Sequence, residues 1–150
     1  MVTAPRVRPL GPADATALAA LITGYRNAMS AEAQPLTESQ GRALILNTAP
    51  PHLLLGAEID GRLLGFAHCF ELAEIISGQP AGQLDDLFVA PEARRTGLAR
   101  ALIARLADIG RARHWVHLRW LVPQDNRAAR RLYESLATPA PWDSFRIDLA

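Results

Sequence analysis

Residues 84–99, LDDLFVAPEARRTGLA, carry the residue types best suited to binding an anion. An apolar run ends at Val89, and a short polar turn leads into a predicted helix that opens near Gly97. A loop that feeds a helix presents unpaired backbone N–H groups and the positive end of the helix dipole. Gly97 leaves room for a phosphate to approach the backbone, and neighbouring arginines add positive charge. The pattern predicts a pyrophosphate cradle, with an ordinary strand, turn and helix bearing surface arginines as the alternative.

The spacing within this segment also resembles a known signature. Arg94, Gly97 and Ala99 match the pattern R/Q-x-x-G-x-G/A, and an asparagine and a tyrosine follow downstream. This arrangement resembles the acetyl-CoA signature of the GNAT superfamily of N-acetyltransferases. Many members carry a glycine where this chain has Arg95, so a side chain there is expected to crowd the loop.

The resemblance implies how acetyl-CoA would be held as a cosubstrate. Backbone groups of Leu87, Phe88 and Val89 would pair with the pantetheine arm as an added strand does. N–H groups along residues 95–100 would hold the pyrophosphate, while the strand side chains pack in the core. The cofactor-binding residues implied in this way are Leu87, Phe88, Val89, Arg94, Arg95, Thr96, Gly97, Leu98, Ala99, Arg100 and Asn126.

Tyr133 is the candidate general acid. It lies seven residues after Asn126, two turns along the same face of a predicted helix. The resemblance implies that its hydroxyl lies near the cofactor sulfur, where a phenol can give a proton to the departing thiolate. Periodicity alone favours a core tyrosine with its hydroxyl at the surface, and the predicted cradle upstream favours the general acid instead. Asn126 also suits the N-cap of this helix, and both of its roles can hold together.

Acidic residues are the candidates for handling the acceptor amine. An alkylamine has a pKa of about 10.4, so a base or a water relay must remove a proton before the nitrogen attacks. The stretch LDDLFV resembles the LEDLFV-type strand of diamine and thialysine acetyltransferases, which implies that Asp85 binds the amine and removes its proton. Asp86 faces the other side of the strand and is expected to make structural hydrogen bonds. Glu71 and Glu74 are predicted to complete an acidic acceptor pocket, with solvated surface positions as the alternative.

The elements that position these residues alternate between strand and helix. Strand patterns cover residues 6–10, 53–59, 62–71, 84–89, 115–122 and 144–148, and helical patterns cover 12–29, 37–46, 97–109 and 126–136. Asp60-Gly61 predicts a type I′ hairpin, Thr37 with Gln40 predicts a capping box, and residues 77–82 read as a loop. The order resembles the GNAT fold over residues 6–149. It implies an α/β (α+β) fold with a central mixed, mostly antiparallel sheet of six to seven strands and about four helices.

Composition favours one globular domain spanning residues 1–150. The chain is 49% hydrophobic and 21% charged, which is typical of a folded domain. No apolar run approaches the roughly 20 residues of a membrane span, and the first residues lack the apolar core of a signal peptide. With a single cysteine, Cys69, the expected compartment is the cytoplasm.

Charge is divided unevenly along the chain. Residues 1–93 hold five arginines and ten acids, whereas residues 94–150 hold eleven arginines and five acids. This division suggests an anionic cofactor and a cationic substrate, or two solvated surfaces of opposite sign. The net charge of +1 and 6% aromatic content argue against nucleic-acid binding. His114 and His117 lie in a strand pattern without suitably spaced partners, so no metal site is predicted.

The sequence therefore predicts an N-acetyltransferase that moves an acetyl group directly from acetyl-CoA to a primary amine in a ternary complex. The expected acceptor is a small cationic molecule, such as a polyamine or an amino-acid-like amine. The alternatives are a protein, peptide or aminoglycoside acetyltransferase, and a non-catalytic acyl-CoA-binding regulatory domain. No metal, nucleic-acid or membrane partner is expected. The resemblance implies a homodimer, with the C-terminal segment around Trp142 as the candidate interface.

Overall fold

The computed structural model describes residues 3–30 and 32–150. This part of the chain forms β1 (Arg6–Pro9), α1 (Ala15–Met29), α2 (Glu38–Asn47), β2 (Leu53–Ile59), β3 (Arg62–Glu74), β4 (Gln79–Val89), α3 (Leu98–Ala112), β5 (Leu118–Trp120) and α4 (Arg127–Leu136). One-turn 3₁₀ helices at Pro12–Asp14 and Pro91–Ala93 come shortly before α1 and α3.

The strands form one sheet in the order β1-β2-β3-β4-β5. The first three pairings are antiparallel and the pairing of β4 with β5 is parallel, which confirms the predicted mixed, mostly antiparallel sheet. β5 pairs with β4 only from Gly82 to Leu84. Beyond that point, in the described chain, β4 continues with no strand beside it on the β5 side.

Two local predictions are confirmed by the backbone. Asp60 and Gly61 both have positive φ angles, of 50° and 75°, as a type I′ turn requires between β2 and β3. At the start of α2, the Gln40 N–H donates to the Thr37 hydroxyl over 3.2 Å, while the Gln40 side chain accepts from the Thr37 N–H over 2.9 Å. These reciprocal bonds are the capping box that the sequence predicts.

The helices pack on both faces of the sheet. Tyr25 of α1 contacts the rings of Phe66 and Phe88, which are opposite each other on β3 and β4. On the opposite face of the sheet, a Cβ added to Gly65 of β3 would contact Leu102 of α3. Leu98, Leu102 and Leu106 recur at helical spacing and are almost fully buried, so α3 contributes a continuous apolar stripe to the core.

Several strand boundaries differ from the sequence prediction. The described residues form five strands and not six to seven, because residues 144–148, predicted as a strand, are exposed and unpaired and have no regular secondary structure. The predicted strand at 115–122 shortens to Leu118–Trp120. The loop predicted at 77–82 is wrong from Gln79 onwards, since those residues pair with the last part of β3. No helix in the described ranges is long and apolar enough to cross a membrane.

Candidate active site

The loop between β4 and α3 presents a row of free backbone donors. Gly97 is the N-cap of α3 with a φ of 88°, and the first intrahelical bond runs from the Ala101 N–H to the Gly97 carbonyl. The Thr96 hydroxyl donates to the Ala93 carbonyl, which closes the turn. Among the described residues, no carbonyl or side chain accepts from the N–H groups of residues 95–100. These donors and the helix dipole make the loop suited to bind an anion.

Arg95 adopts the left-handed backbone conformation, with a φ of 64°. Glycine reaches this conformation freely, whereas for another residue it costs on the order of 1–2 kcal/mol. The turn therefore keeps a geometry that favours glycine, and the Arg95 side chain is exposed. Arg94 is exposed as well, and the Arg100 guanidinium donates to the Ser135 hydroxyl of α4 over 3.1 Å.

The edge of β4 next to this loop is open on one side. Leu87, Phe88 and Val89 pair with β3, but β5 ends opposite Leu84 and leaves their other edge without a strand in the described chain. Backbone groups at such an edge can pair with an extended ligand. This geometry supports the predicted backbone role of the three residues, which stays a prediction.

Tyr133 is held by α4 against β5. Its ring packs edge-on against Trp120, with 5.4 Å between the ring centroids. Burial raises the pKa of Tyr133, so the hydroxyl remains protonated at neutral pH and can act as a donor. Asn126 is the N-cap of α4, because its side-chain oxygen accepts from the Ala129 N–H over 3.2 Å. The N-cap role predicted for Asn126 is thus confirmed.

A β-bulge separates the environments of Asp85 and Asp86. Cys69 pairs with Leu84 and His68 pairs with Asp86, so Asp85 is the extra residue on β4. Asp85 is exposed, and it makes no hydrogen bond or ion pair among the described residues. The Asp86 carboxylate lies 3.4 Å from Nδ1 of His68. Asp86 therefore contacts the fold, while Asp85 is available to a ligand.

Tyr25 of α1 also lies near this region, although the sequence analysis does not single it out as a site residue. Burial is the main reason that the pKa of Tyr25 is raised to about 12, and the nearby carboxylate of Asp86 adds to the shift. Asp85 and Tyr133 contribute smaller effects of the same sign. Tyr25 packs against Phe88 of β4, and Tyr133 packs against Trp120, which pairs with Leu84 of β4. Both tyrosines therefore lie around the stretch of β4 that carries Asp85 and Asp86.

A family model described as the Acetyltransferase (GNAT) family matches residues 19–137, from α1 to the end of α4. The chain belongs to the GNAT family. Acetyl-CoA is the acetyl donor of this family, and the free N–H groups at residues 95–100 together with the open β4 edge fit a pyrophosphate and a pantetheine arm. The described residues contain no group of three or more metal-ligand side chains.

Named relatives of this GNAT chain include acetyltransferases of different acceptors. The thialysine N-epsilon-acetyltransferase of Caenorhabditis elegans is 37% identical over 70 residues, 43% of this chain and 44% of that protein. The mycothiol acetyltransferase of Nocardiopsis dassonvillei is 43% identical over 76 residues, 48% of this chain and 22% of that protein. These matches span less than half of either relative.

A solved GNAT structure covers nearly the whole chain. The ribosomal-protein-alanine N-acetyltransferase from Brucella melitensis biovar Abortus 2308 superposes with a TM-score of 0.83 at 32% identity. The superposition covers 97% of this chain and 99% of that one. The likeness confirms the fold class predicted from the sequence.

The two glutamates predicted to complete the acceptor pocket of this GNAT domain both make contacts within the fold, and their acceptor role stays a prediction. The Glu71 carboxylate accepts from Nε1 of Trp115 over 2.5 Å and lies 3.3 Å from the Arg113 guanidinium, on the α3 side of the sheet. The Glu74 carboxylate accepts from the Ser77 N–H over 2.7 Å. Hydrogen bonding at Ser77 lowers the pKa of Glu74. Glu71 therefore holds Trp115 in place, and Glu74 accepts hydrogen bonds within the turn between β3 and β4.

Proposed function

We propose that this GNAT domain transfers an acetyl group from acetyl-CoA to the primary amine of a small cationic acceptor, in a ternary complex. The observation that carries the proposal is Asp85, an exposed carboxylate with no partner among the described residues, at the bulge beside the open edge of β4. A free carboxylate attracts a cationic amine. The 37% identity with the thialysine acetyltransferase supports a small amine as the acceptor. The single buried cysteine fits a reducing compartment, so a cytoplasmic location is part of the proposal.

The proposed cofactor contacts follow from the open donors. Acetyl-CoA supplies an activated acetyl thioester. The backbone edge at Leu87, Phe88 and Val89 holds the pantetheine arm, and the N–H groups of residues 95–100 hold the pyrophosphate. The exposed guanidinium groups of Arg94 and Arg95 reduce the cost of bringing this dianion to the protein.

The proposed reaction needs one base and one acid. Asp85 takes a proton from the ammonium group of the acceptor, directly or through a water molecule. The neutral nitrogen attacks the acetyl carbonyl, so a C–N bond forms and the C–S bond breaks, and the nitrogen releases its second proton to water as the amide forms. The Tyr133 hydroxyl gives its proton to the departing sulfur, and the phenolate regains a proton from water. Because burial raises the pKa of Tyr133, the hydroxyl carries its proton until the sulfur needs it.

The two tyrosines provide a matched test of the acid. Tyr133→Phe should lower kcat by about 10²–10⁴-fold, the usual contribution of general acid catalysis, with little change in acetyl-CoA binding. Tyr25→Phe removes the only other tyrosine hydroxyl of the chain and measures the effect of a hydroxyl that has no assigned proton transfer. If Tyr133→Phe stays within about threefold of wild-type turnover, Tyr133 is not the essential acid.

The two aspartates provide a matched test of the amine-binding carboxylate. Asp85→Asn should raise the acceptor KM by about tenfold or more and change the pH profile of kcat/KM. The acetyl-CoA KM should stay near the wild-type value. Asp86→Asn serves as the comparison, since its carboxylate is engaged with His68. If Asp85→Asn alters neither the acceptor KM nor the pH profile, another group handles the amine.

A protein N-terminus is the second candidate acceptor, favoured by the 32% identity with the ribosomal-protein-alanine acetyltransferase over 97% of this chain. Thiol release from acetyl-CoA across polyamines, thialysine, lysine, aminoglycosides and a peptide with an N-terminal alanine separates the candidates. Turnover of the peptide that polyamines do not inhibit would assign the protein acceptor. Acetyl-CoA binding without turnover of any amine would favour a regulatory domain, and absence of binding would refute the cradle.

A further inference from the structure

A histidine and a carboxylate face each other across two neighbouring strands of the sheet. His68 of β3 is directly opposite Asp86 of β4, and Nδ1 of His68 lies 3.4 Å from the Asp86 carboxylate. The two side chains are 22% and 32% exposed. The pair is therefore enclosed enough to keep its geometry and open enough to exchange a proton with water or a ligand.

The ring of His68 has one nitrogen engaged and one free. Its centroid lies 4.5 Å from that of Phe70, so packing holds the ring in place. With Asp86 against Nδ1, the neutral ring carries its proton on Nδ1, which leaves Nε2 as a proton acceptor. Nε2 has no hydrogen-bond partner among the described residues, and it is not enclosed, since no buried side-chain nitrogen or oxygen there lacks a partner.

The pair lies beside the groups proposed for acetyl transfer. Asp86 follows Asp85 directly on β4, at the bulge. Phe66 and Phe88, each two residues from a member of the pair, contact Tyr25, so the pair lies on the α1 face of the sheet. The titratable groups that face His68 are thus Asp85 and Asp86 from β4 and Tyr25 from α1.

No side chain is yet assigned to one proton of the proposed reaction. Asp85 takes the first proton of the acceptor, so its carboxyl group is already protonated when the nitrogen attacks. The nitrogen must then lose a second proton, while the Tyr133 hydroxyl acts only as a donor to the sulfur. An imidazole is a good proton acceptor near neutral pH, at which a carboxylate is a poor one.

We propose that His68 accepts this second proton at Nε2 through one water molecule, and that Asp86 positions the ring. This role rests on the proposed function, since it needs an amine that is acetylated in the site. As the amide forms, the N–H bond breaks, the water gains that proton, and it passes one of its own to Nε2. The imidazolium keeps its Nδ1–H towards the Asp86 carboxylate, which stabilises the charge, and then returns a proton to solvent.

The first test observes the His68 ring directly and needs no acceptor. Nitrogen NMR of the full chain labelled with ¹⁵N-histidine, at a pH at which the rings are neutral, should show His68 protonated at Nδ1. His52 is the internal control, because its Nδ1 accepts from the Glu71 N–H over 3.2 Å and its own proton is therefore on Nε2. Asp86→Ala should move the His68 proton to Nε2. A wild-type His68 ring that is protonated at Nε2 would overturn the proposal.

The second test measures proton transfer during turnover. His68→Ala should lower kcat by about 10²-fold, the lower end of general base catalysis, with little change in the KM values of acetyl-CoA and the acceptor. Added imidazole should restore part of kcat. The ring 1,2,4-triazole has the same size and is a much weaker base, so it should not. Equal rescue by both rings would show that His68 only fills space.

Two further variants complete the comparison, with circular dichroism to verify that each is folded. His52→Ala is the matched control, because His52 packs on the same Phe70 ring at 5.0 Å but has its Nδ1 bound to the backbone. Asp86→Asn should lower kcat and leave the acceptor KM unchanged, unlike Asp85→Asn. A wild type that acetylates no amine refutes the proposed function and the role of His68 together. Wild-type turnover that His68→Ala leaves within about threefold overturns only the role of His68.

Discussion

Glu71→Ala removes the acceptor that holds the indole N–H of Trp115. The ring of Trp115 occupies space left by two glycines. A Cβ added to Gly82 of β4 would lie 2.3 Å from the ring, and a Cβ added to Gly110 of α3 would lie 2.6 Å from it. The ring therefore fills the space between β4 and α3, and the Glu71 carboxylate on β3 fixes its polar end at 2.5 Å. Without the carboxylate, the indole N–H loses its partner in a partly buried site.

The expected loss of stability follows from these contacts. A hydrogen bond to a charged group contributes about 1.5–3 kcal/mol. The ion pair with Arg113, whose side chain is 35% exposed, is screened by solvent and adds about 0.5 kcal/mol or less. Glu71→Ala should therefore lower the free energy of unfolding by about 2–3 kcal/mol. For a chain of 150 residues this corresponds to a Tm lower by roughly 5–10 °C.

Urea and thermal unfolding measure the stability, and steady-state kinetics measure the acceptor and acetyl-CoA KM values on the same samples. Glu71→Gln retains an acceptor oxygen and should restore much of the loss. Glu38→Ala removes an exposed carboxylate from its i,i+4 pair with Arg42 and should change stability by about 0.5 kcal/mol or less. An unchanged Tm combined with a tenfold rise in acceptor KM in Glu71→Ala would refute the structural role and support the acceptor-pocket prediction.

Two further predictions concern buried charge and the cradle. Arg8 pairs with the buried Glu58 and with Asp14, so Arg8→Met should destabilise the fold by about 3 kcal/mol in urea unfolding. Hydrogen bonding to Arg8 lowers the pKa of Asp14. The stability that this pair contributes is therefore present above the ordinary pKa of 3.8 and is lost as the pH falls through the lower pKa of the folded state. If Arg8→Met leaves the pH dependence of stability in that range unchanged, the Arg8–Asp14 pair is not its cause. Arg95→Gly and Arg95→Ala should both weaken acetyl-CoA binding in calorimetry, but only the glycine relieves the left-handed backbone and gains up to about 1 kcal/mol of stability relative to alanine. Equal stability of the two variants would show that the backbone conformation at this position carries no cost.

The parts of the site that depend on a few consecutive residues could be predicted from the sequence. The start of α3 at the cradle follows from a glycine at the N-cap and the apolar spacing of Leu98, Leu102 and Leu106. The hairpin between β2 and β3 follows from Asp60-Gly61, because both positions need positive φ. In each case the interacting residues are close in sequence, so the local sequence pattern is sufficient to predict the structure.

The neighbours of the acidic residues could not be predicted in the same way. Alternation along β4 separates Asp85 from Asp86, but the bulge that leaves Asp85 unpaired depends on the register against His68 and Cys69 of β3. Tyr25 approaches Asp86 only because α1 packs on that face of the sheet. Glu71 is bound by a tryptophan 44 positions away. These contacts arise from packing between distant segments, which hydrophobic periodicity does not specify.

The C-terminal residues 144–149 show why the formation of a strand depends on two segments of chain. Residues 53–59 and 62–71 have strand patterns and a two-residue turn between them, so each has its partner within reach. Residues 144–149 show similar alternation, yet a helix precedes them and two prolines hold the approach extended. Their backbone N–H and C=O groups need an edge, and the exposed side of β5 is an edge that needs a strand. In the described chain these residues do not reach that edge, so the strand predicted at 144–148 from alternation alone does not form.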